Sequence, residues 1–108
     1  MAYKRIGVIE AKKILEDKNA IIVDIRDTES YNKGHAATAI HLTQDNLKDF
    51  IQSTDKHTPL LVMCYHGNSS QMIGQYLSQE GFEQVYSVNG GYEAWANNER
   101  KTIIRKSS

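Results

Sequence analysis

The only cysteine of the chain opens a short loop, and this loop holds the residues best suited to chemistry. Cys64 directly follows the apolar run 60–63. A thiolate is a nucleophile, so the loop is a candidate for covalent chemistry at sulfur. The alternative is that Cys64 is an ordinary small core residue, as free cysteines usually are. The residues that form the candidate substrate-binding loop after it are Tyr65, His66, Gly67, Asn68, Ser69 and Ser70.

A nucleophilic Cys64 would need its charged form stabilised, because a free thiol is only slightly ionised at neutral pH. Gly67 can adopt backbone angles closed to other residues, which would let several loop N–H groups point at one anion. A hydrogen bond to a charged acceptor contributes about 1.5–3 kcal/mol, whereas a helix dipole contributes about 0.3–1 kcal/mol. We therefore predict that loop amides stabilise the thiolate more than the helix dipole does.

The other loop residues each allow two interpretations. Tyr65 and His66 either form loop surface or frame the mouth of a pocket. Asn68 could brace the loop through its amide. Ser69 or Ser70 would cap the following helix, with or without a role in ligand binding.

The spacing of the loop favours sulfur over phosphate as the group handled. A cysteine phosphatase loop has an arginine six positions after the cysteine, because the guanidinium binds phosphoryl oxygens and neutralises their charge. The sixth position after Cys64 is Ser70, and no Lys or Arg occurs between positions 63 and 77. A phosphatase or arsenate reductase is thus the less favoured alternative.

Apolar runs alternate with helical patterns along the chain, which predicts an α/β fold with a mainly parallel sheet. In such a sheet ligands bind beyond the carboxyl ends of the strands, where Cys64 falls. The expected strands are 3–6, 20–25, 39–42, 58–63 and 85–88. The expected helices end near Lys18, Gly34 and Gly81, with one more beginning at Thr43 or Asp45 and a short last one at 92–98.

The helices are predicted from apolar residues at helical spacing. The first should present Ile9, Ile14 and Leu15 to the core, and the third should present Leu47, Phe50 and Ile51. Met72, Ile73, Tyr76 and Leu77 repeat in the fourth, and Trp95 of the last should be buried. Residues 101–108 are expected to form a surface tail.

The length of 108 residues and the 40% hydrophobic content predict one domain, 1–108, with a modest core. The 13 basic and 13 acidic side chains cancel, so no overall field attracts nucleic acid or a membrane surface. No apolar run approaches the roughly 20 residues of a membrane span. With one cysteine and no signal-like N-terminus, the cytoplasm is the expected location. His35, His41 and His57 show no zinc spacing, and we expect neither a metal nor a cofactor.

Four segments in order resemble the rhodanese family of thiosulfate sulfurtransferases. They are Val23-Asp24-Ile25-Arg26, Tyr31-Asn32-Lys33-Gly34-His35-Ala36, the loop from Cys64 to Ser70, and Gly90-Gly91-Tyr92-Glu93-Ala94-Trp95. The chain is most similar to the small single-domain bacterial members. It departs from the family at 36–38, where Ala-Ala-Thr replaces the usual Ile-Pro-Gly, and it lacks the basic loop residues of tandem-domain members.

The resemblance implies a fold and a reaction. The fold is one rhodanese-like domain, with a five-stranded, mainly parallel sheet flanked by helices on both faces. Cys64 would be the catalytic residue that takes sulfur from thiosulfate as a persulfide and passes it to cyanide or a thiol, with thioredoxin as one acceptor. We expect a monomer or weak homodimer. The alternative is a sulfur-carrier module loaded by a partner protein. Asp24, Arg26 and His35 are expected to tie loops together.

Overall fold

A computed structural model of the chain describes residues 3–67 and 69–107 and contains five strands and five helices in that part. In the described residues each strand is followed by a helix. In chain order they are β1 (Lys4–Ile6), α1 (Val8–Lys18), β2 (Ile21–Asp24), α2 (Thr28–Lys33), β3 (Ile40–His41), α3 (Gln44–Ser53), β4 (Leu60–Met63), α4 (Ser69–Gln79), β5 (Val85–Val88) and α5 (Gly91–Ser107).

All five strands pair in parallel, in the order β1-β5-β4-β2-β3. The central strand β4 is hydrogen-bonded on both sides, to β2 and to β5, and its four residues are all buried. A continuous apolar run is what a strand covered on both faces requires. This confirms the α/β fold and the parallel sheet, and it places the residue after β4 at the middle of the sheet's carboxyl edge.

The helices cover both faces of the sheet, as expected. Side chains alternate between faces along each strand, so Leu61 and Met63 of β4 point to one core while Leu60 and Val62 point to the other. The first core includes residues of α1 and α5, and the second includes residues of α3 and α4. Trp95 lies in the first core, as expected.

Several helical positions differ from the expectation. The buried residues of α1 are Ala11 and Ile14, whereas Ile9 is 74% exposed. The expectation for Ile9 was wrong because positions 9 and 14 point to different sides of a helix with 3.6 residues per turn. In α4, Met72 is 78% exposed and Tyr76 is 40% exposed. The buried face of that helix consists of Leu77 and three small residues, Ser70, Gly74 and Ser78.

The last helix is longer than expected. It was predicted to end near position 98, but α5 continues to Ser107 through most of the segment expected to be a tail. How the side chains of residues 101–108 are placed lies outside the described part of the chain.

Candidate active site

Cys64 is the first residue after β4, and three elements meet around it. The loop 65–67 leaves the sheet edge there, α4 begins at Ser69, and the turn between β5 and α5 packs behind the loop. The sulfur therefore lies beyond the carboxyl ends of the strands, the usual position of a ligand site in an open parallel sheet.

The Cys64 side chain is only 2% exposed and is surrounded by hydrogen-bond donors. The Gly67 N–H donates to Sγ at 3.1 Å, and the Ser70 hydroxyl lies 3.4 Å from Sγ. Burial raises the pKa of the Cys64 thiol, but hydrogen bonds from the Ser70 hydroxyl and from the N–H groups of Ser70, Gly67 and His66 outweigh it. The net result is a pKa below the ordinary value for cysteine. The site thus stabilises the thiolate relative to that of an ordinary cysteine, through neutral hydrogen-bond donors.

A cavity of about 110 Å³ gives access to the sulfur. Its lining residues are Cys64, Tyr65, His66 and Ser69. Ser70 does not line it, although Ser70 occupies the position that carries arginine in a phosphatase loop. An anion in this cavity would meet loop backbone and hydroxyl groups, and no Lys or Arg side chain from the loop.

Gly67 is needed at its position for two reasons. Its φ of +93° is a conformation that residues with a side chain rarely adopt. A Cβ atom there would also lie 2.9 Å from the Gly90 nitrogen and 3.2 Å from the Val88 oxygen. The Gln71 side chain holds the same residue by donating to the Gly67 carbonyl at 2.9 Å. The loop can therefore turn its N–H groups toward sulfur only with glycine at 67.

The Gly90-Gly91 turn fixes the loop from behind. A Cβ atom on Gly91 would collide with the backbone of Cys64 and Tyr65. The N–H of Tyr92 donates to the Cys64 carbonyl at 2.7 Å. The start of α5 is thus attached directly to the end of β4, which accounts for the paired glycines of the sequence.

Tyr65 and His66 frame the mouth of the cavity, the second of the two interpretations left open by the sequence. Both are exposed, and the Tyr65 hydroxyl lies 3.1 Å from the Ser30 hydroxyl of α2. The His66 Nδ1 atom pairs with the Glu93 carboxylate at 3.3 Å. The imidazole is thus held toward α5, and the influence of His66 on Cys64 comes from its backbone N–H.

The two serines of the loop do not cap α4, contrary to one of their interpretations. The helix already includes both Ser69 and Ser70. The residue before them, Asn68, lies outside the described residues. Ser69 is exposed at the cavity, whereas Ser70 is fully buried and pairs with the Ser87 hydroxyl at 2.7 Å. Sequence reasoning missed Ser87. The signal was a serine at a core-facing position in the apolar strand 85–88.

The Asp24–Arg26 pair binds the other motif segments together, as expected. The Arg26 guanidinium donates to both oxygens of Asp24, at 2.7–3.1 Å, and to the Gly34 carbonyl at 2.7 Å. It also lies 4.2 Å from the centre of the Tyr92 ring. His35 stacks on the Tyr31 ring and contacts the Tyr31 carbonyl at 2.7 Å. These groups connect β2, α2 and α5 to one another.

Within residues 3–67 and 69–107, no group of three or more His, Cys, Asp or Glu side chains is arranged to hold a metal ion. None of the helices in that part of the chain combines the length and the apolar character needed to cross a bilayer.

Comparison with known proteins agrees with this architecture. The profile of the rhodanese-like domain matches residues 8–98. A rhodanese-like domain protein from Staphylococcus aureus has 31% sequence identity, with 85% of this chain and 90% of that chain covered and a TM-score of 0.74. A protein from Staphylococcus saprophyticus has 26% identity, with 85% and 92% covered and a TM-score of 0.72.

A more distant neighbour has a different suggested activity. A protein of unknown function from Rhodopseudomonas palustris, described as a possible tyrosine phosphatase, has 18% identity to this chain. Its TM-score is 0.74, with 90% of this chain and 82% of that chain covered. At that identity the match shows a shared fold and nothing about the reaction.

Proposed function

This chain belongs to the rhodanese-like domain family, and from that premise we propose that it is a thiosulfate sulfurtransferase that carries sulfur on Cys64. Membership supports activity of the sulfurtransferase type. The choice of thiosulfate as donor rests on the cavity around Cys64. One observation carries the proposal: a buried sulfur opens into a small cavity and is hydrogen-bonded by loop N–H groups and a hydroxyl.

The cavity suits a small sulfur donor. Its volume of about 110 Å³ admits a compact anion. The persulfide side chain of a donor protein would have to enter through the same opening. Sulfur in a persulfide is a soft, singly charged anion that N–H groups can stabilise, whereas a phosphoryl group has charge that a phosphatase neutralises with arginine. Serine at position 70, where a phosphatase loop has arginine, supports sulfur rather than phosphate as the cargo.

The reaction takes place in two steps. The Cys64 thiolate attacks the outer sulfur of thiosulfate, a new S–S bond forms, and sulfite leaves with the electron pair of the broken S–S bond. The terminal sulfur of the persulfide then carries the negative charge, in the cavity beside the loop N–H groups. An acceptor attacks that sulfur, and the Cys64 thiolate leaves and is regenerated. With cyanide as acceptor the product is thiocyanate.

The acceptor in the cell must come from outside the chain, because Cys64 is its only cysteine and cannot be resolved by a second one. A protein thiol such as thioredoxin, or a small thiol, fits this requirement. The proposal places the protein in the cytoplasm, where thiols are kept reduced. We propose further that it works as a monomer or weak homodimer, without a metal or cofactor.

Loading with thiosulfate tests the donor directly. Incubation of the protein with thiosulfate, followed by intact mass measurement, should show a gain of one sulfur atom that cyanide removes. Cys64→Ser should gain nothing. If the wild-type protein is not loaded by thiosulfate but is loaded by a partner persulfide, such as that of a cysteine desulfurase, the sulfur-carrier alternative replaces this proposal.

A phosphatase assay tests the remaining alternative. We expect no hydrolysis of a phosphate ester that depends on Cys64, because the loop supplies no guanidinium. Hydrolysis at a useful rate that is lost in Cys64→Ser would overturn the proposal.

A further inference from the structure

Two buried hydroxyl groups form a chain that ends on the sulfur. The Ser87 and Ser70 oxygens are 2.7 Å apart, and Ser70 Oγ is 3.4 Å from Cys64 Sγ. Ser70 and Ser87 are fully buried, and Cys64 is 2% exposed. The three groups therefore form one buried, hydrogen-bonded series, and the Gly67 N–H also donates to the sulfur at its end.

The position of Ser87 follows from the alternation of side chains between the two faces of β5. Val85 of β5 faces the core that includes α4, and Ser87 lies two residues further along the same face. Its register partner in β4 is Val62, two residues before Cys64. A serine at such a core position costs desolvation energy unless it has a partner, and Ser70 of α4 is that partner.

The hydrogen bonds between Ser87, Ser70 and Cys64 must reverse their direction when the sulfur loses its proton. Each serine hydroxyl has one proton to donate and can accept in return. With Cys64 as a thiol, S–H donates to Ser70, and Ser70 can donate to Ser87. With Cys64 as a thiolate, the Ser70 proton must point at the sulfur, and the Ser70 oxygen is then free to accept from Ser87.

We propose that Ser87 is a positioning residue. It donates a hydrogen bond to the Ser70 oxygen and thereby keeps the Ser70 hydroxyl donating to the sulfur whenever Cys64 is a thiolate, including just after it has released its sulfur cargo. The inference rests on the proposed function only in taking the Cys64 thiolate as the reacting group. Burial raises the pKa of Cys64, and the Ser70 hydroxyl is the largest of the influences that lower it. A residue that orients this hydroxyl therefore acts on the reactivity of the sulfur without touching substrate.

The charged and titratable groups around the site are the same in all variants of the test. They are Tyr65 and His66 of the loop, Tyr92 and Glu93 of α5, and the Asp24–Arg26 pair at the end of β2. Because none of them is substituted, a difference between a serine variant and the wild-type protein over one pH series reports on the serine.

The test is the rate of alkylation of Cys64 by iodoacetamide as a function of pH, followed by intact mass. It does not require thiosulfate to be the donor, so it can succeed where the proposed function fails. Ser87→Ala should move the midpoint of the rate curve up by about half a unit, which is about threefold less thiolate at pH values below both midpoints. Ser70→Ala should move it up by about one unit. Above both midpoints the variants should react at least as fast as the wild-type protein, because a thiolate of higher pKa is the stronger nucleophile.

Three comparisons separate this role from a structural one. Ser87→Ala should add no further shift in a Ser70→Ala background, because Ser87 acts through Ser70. Ser87→Thr, which keeps the hydroxyl, should restore most of the wild-type midpoint. Ser78→Ala, which removes another buried hydroxyl of α4, should leave the midpoint unchanged.

The inference is overturned if Ser87→Ala has the wild-type midpoint, or if its shift is as large without Ser70 as with it. It is also overturned if Ser87→Ala lowers the rate equally at every pH, since that pattern indicates a disturbed fold. Should Ser87→Ala not fold, the double variant Ser70→Ala/Ser87→Ala, which replaces both partners by apolar groups, must match Ser70→Ala; a different midpoint would overturn the inference.

Discussion

The carboxyl ends of the neighbouring strands β2 and β4 each carry a buried polar cluster, and the two clusters handle charge differently. At the end of β2, the Asp24 carboxylate is matched by the Arg26 guanidinium at 2.7 Å. At the end of β4, Cys64 faces only neutral donors, namely backbone N–H groups and the hydroxyl of Ser70. The clusters are connected, because Arg26 packs on Tyr92 and the Tyr92 N–H donates to the Cys64 carbonyl.

The difference suits the two tasks. A buried ion pair is stable only while both charges are present, so it can hold loops together but cannot gain or lose a charge freely. Neutral donors tolerate a sulfur that is in turn a thiol, a thiolate and a persulfide, because hydroxyl groups can reorient and N–H groups carry no net charge. The β2 cluster is therefore expected to govern stability, and the β4 cluster to govern reactivity.

The largest effect should come from breaking the ion pair. Arg26→Ala leaves the fully buried Asp24 carboxylate without its partner, which costs about 3–5 kcal/mol of unfolding free energy. Urea unfolding measures this loss. Lys33→Ala is the matched control, because the Lys33–Glu29 pair is exposed and should contribute less than about 1 kcal/mol.

Removing both charges sharpens the same comparison. In Asp24→Asn/Arg26→Met no buried charge is left unpaired, so most of the lost stability should return. The pH midpoint of Cys64 alkylation should match that of the wild-type protein. A clear shift of that midpoint would mean that the ion pair tunes the sulfur, and the division of tasks between the clusters would be wrong.

The next largest effect should come from the loop backbone. Gly67→Ala forces a residue with a side chain into a φ of +93° and places its Cβ atom against the Gly90 nitrogen. We expect a loss of about 1–3 kcal/mol in stability. Loading by thiosulfate should fall at least about tenfold, because one hydrogen bond to a charged acceptor contributes about 1.5–3 kcal/mol.

Gly81→Ala is the matched control for this variant. Gly81 also has a positive φ, +106°, but its added Cβ atom would meet only the Lys56 side chain, at 3.9 Å. It should lose a similar amount of stability from backbone strain and still load sulfur at the wild-type rate. Equal loss of loading in both variants would show that the rate follows stability rather than the Gly67 N–H group.

Local patterns predicted the framework of the fold. The apolar run 60–63, flanked by strands and helices in alternation, was enough to place Cys64 at the carboxyl edge of the sheet, and the strand order of the structure puts it at the middle of that edge. Gly67 and the paired glycines at 90–91 were recognisable as turns. What the sequence did not contain was their mutual contact, because the close approach of loop 65–67 to the β5–α5 turn depends on the pairing of β4 with β5.

The same limit explains the missed serine and the misjudged helix positions. Ser87 becomes informative only when the strand order brings β5 beside β4 and places it opposite α4. Met72 and Tyr76 have helical spacing, but α4 packs through small residues such as Gly74, which lets the helix approach closely and leaves the larger side chains exposed. Periodicity identifies a helix, and packing decides which side is buried.

The smallest effect, and the one that isolates the β4 cluster, is the pH dependence of stability that Cys64 contributes. Burial raises the pKa of Cys64, but the Ser70 hydroxyl and the loop N–H groups lower it by more than burial raises it. The pKa of Cys64 in the folded protein therefore lies below its pKa in the unfolded chain. Between the folded pKa and the higher pKa of the unfolded chain, the unfolded chain binds more protons, so stability must rise with pH. The contribution is complete above the pKa of the unfolded chain and is lost as the pH falls through the folded pKa. Urea unfolding of the wild-type protein and of Cys64→Ser over this range should therefore show a difference that grows with pH.

Asp24→Asn/Arg26→Met, which keeps Cys64, should keep that growth. A difference that is flat or falls with pH would show that the fold does not favour the thiolate, and that neutral donors do not compensate for its burial.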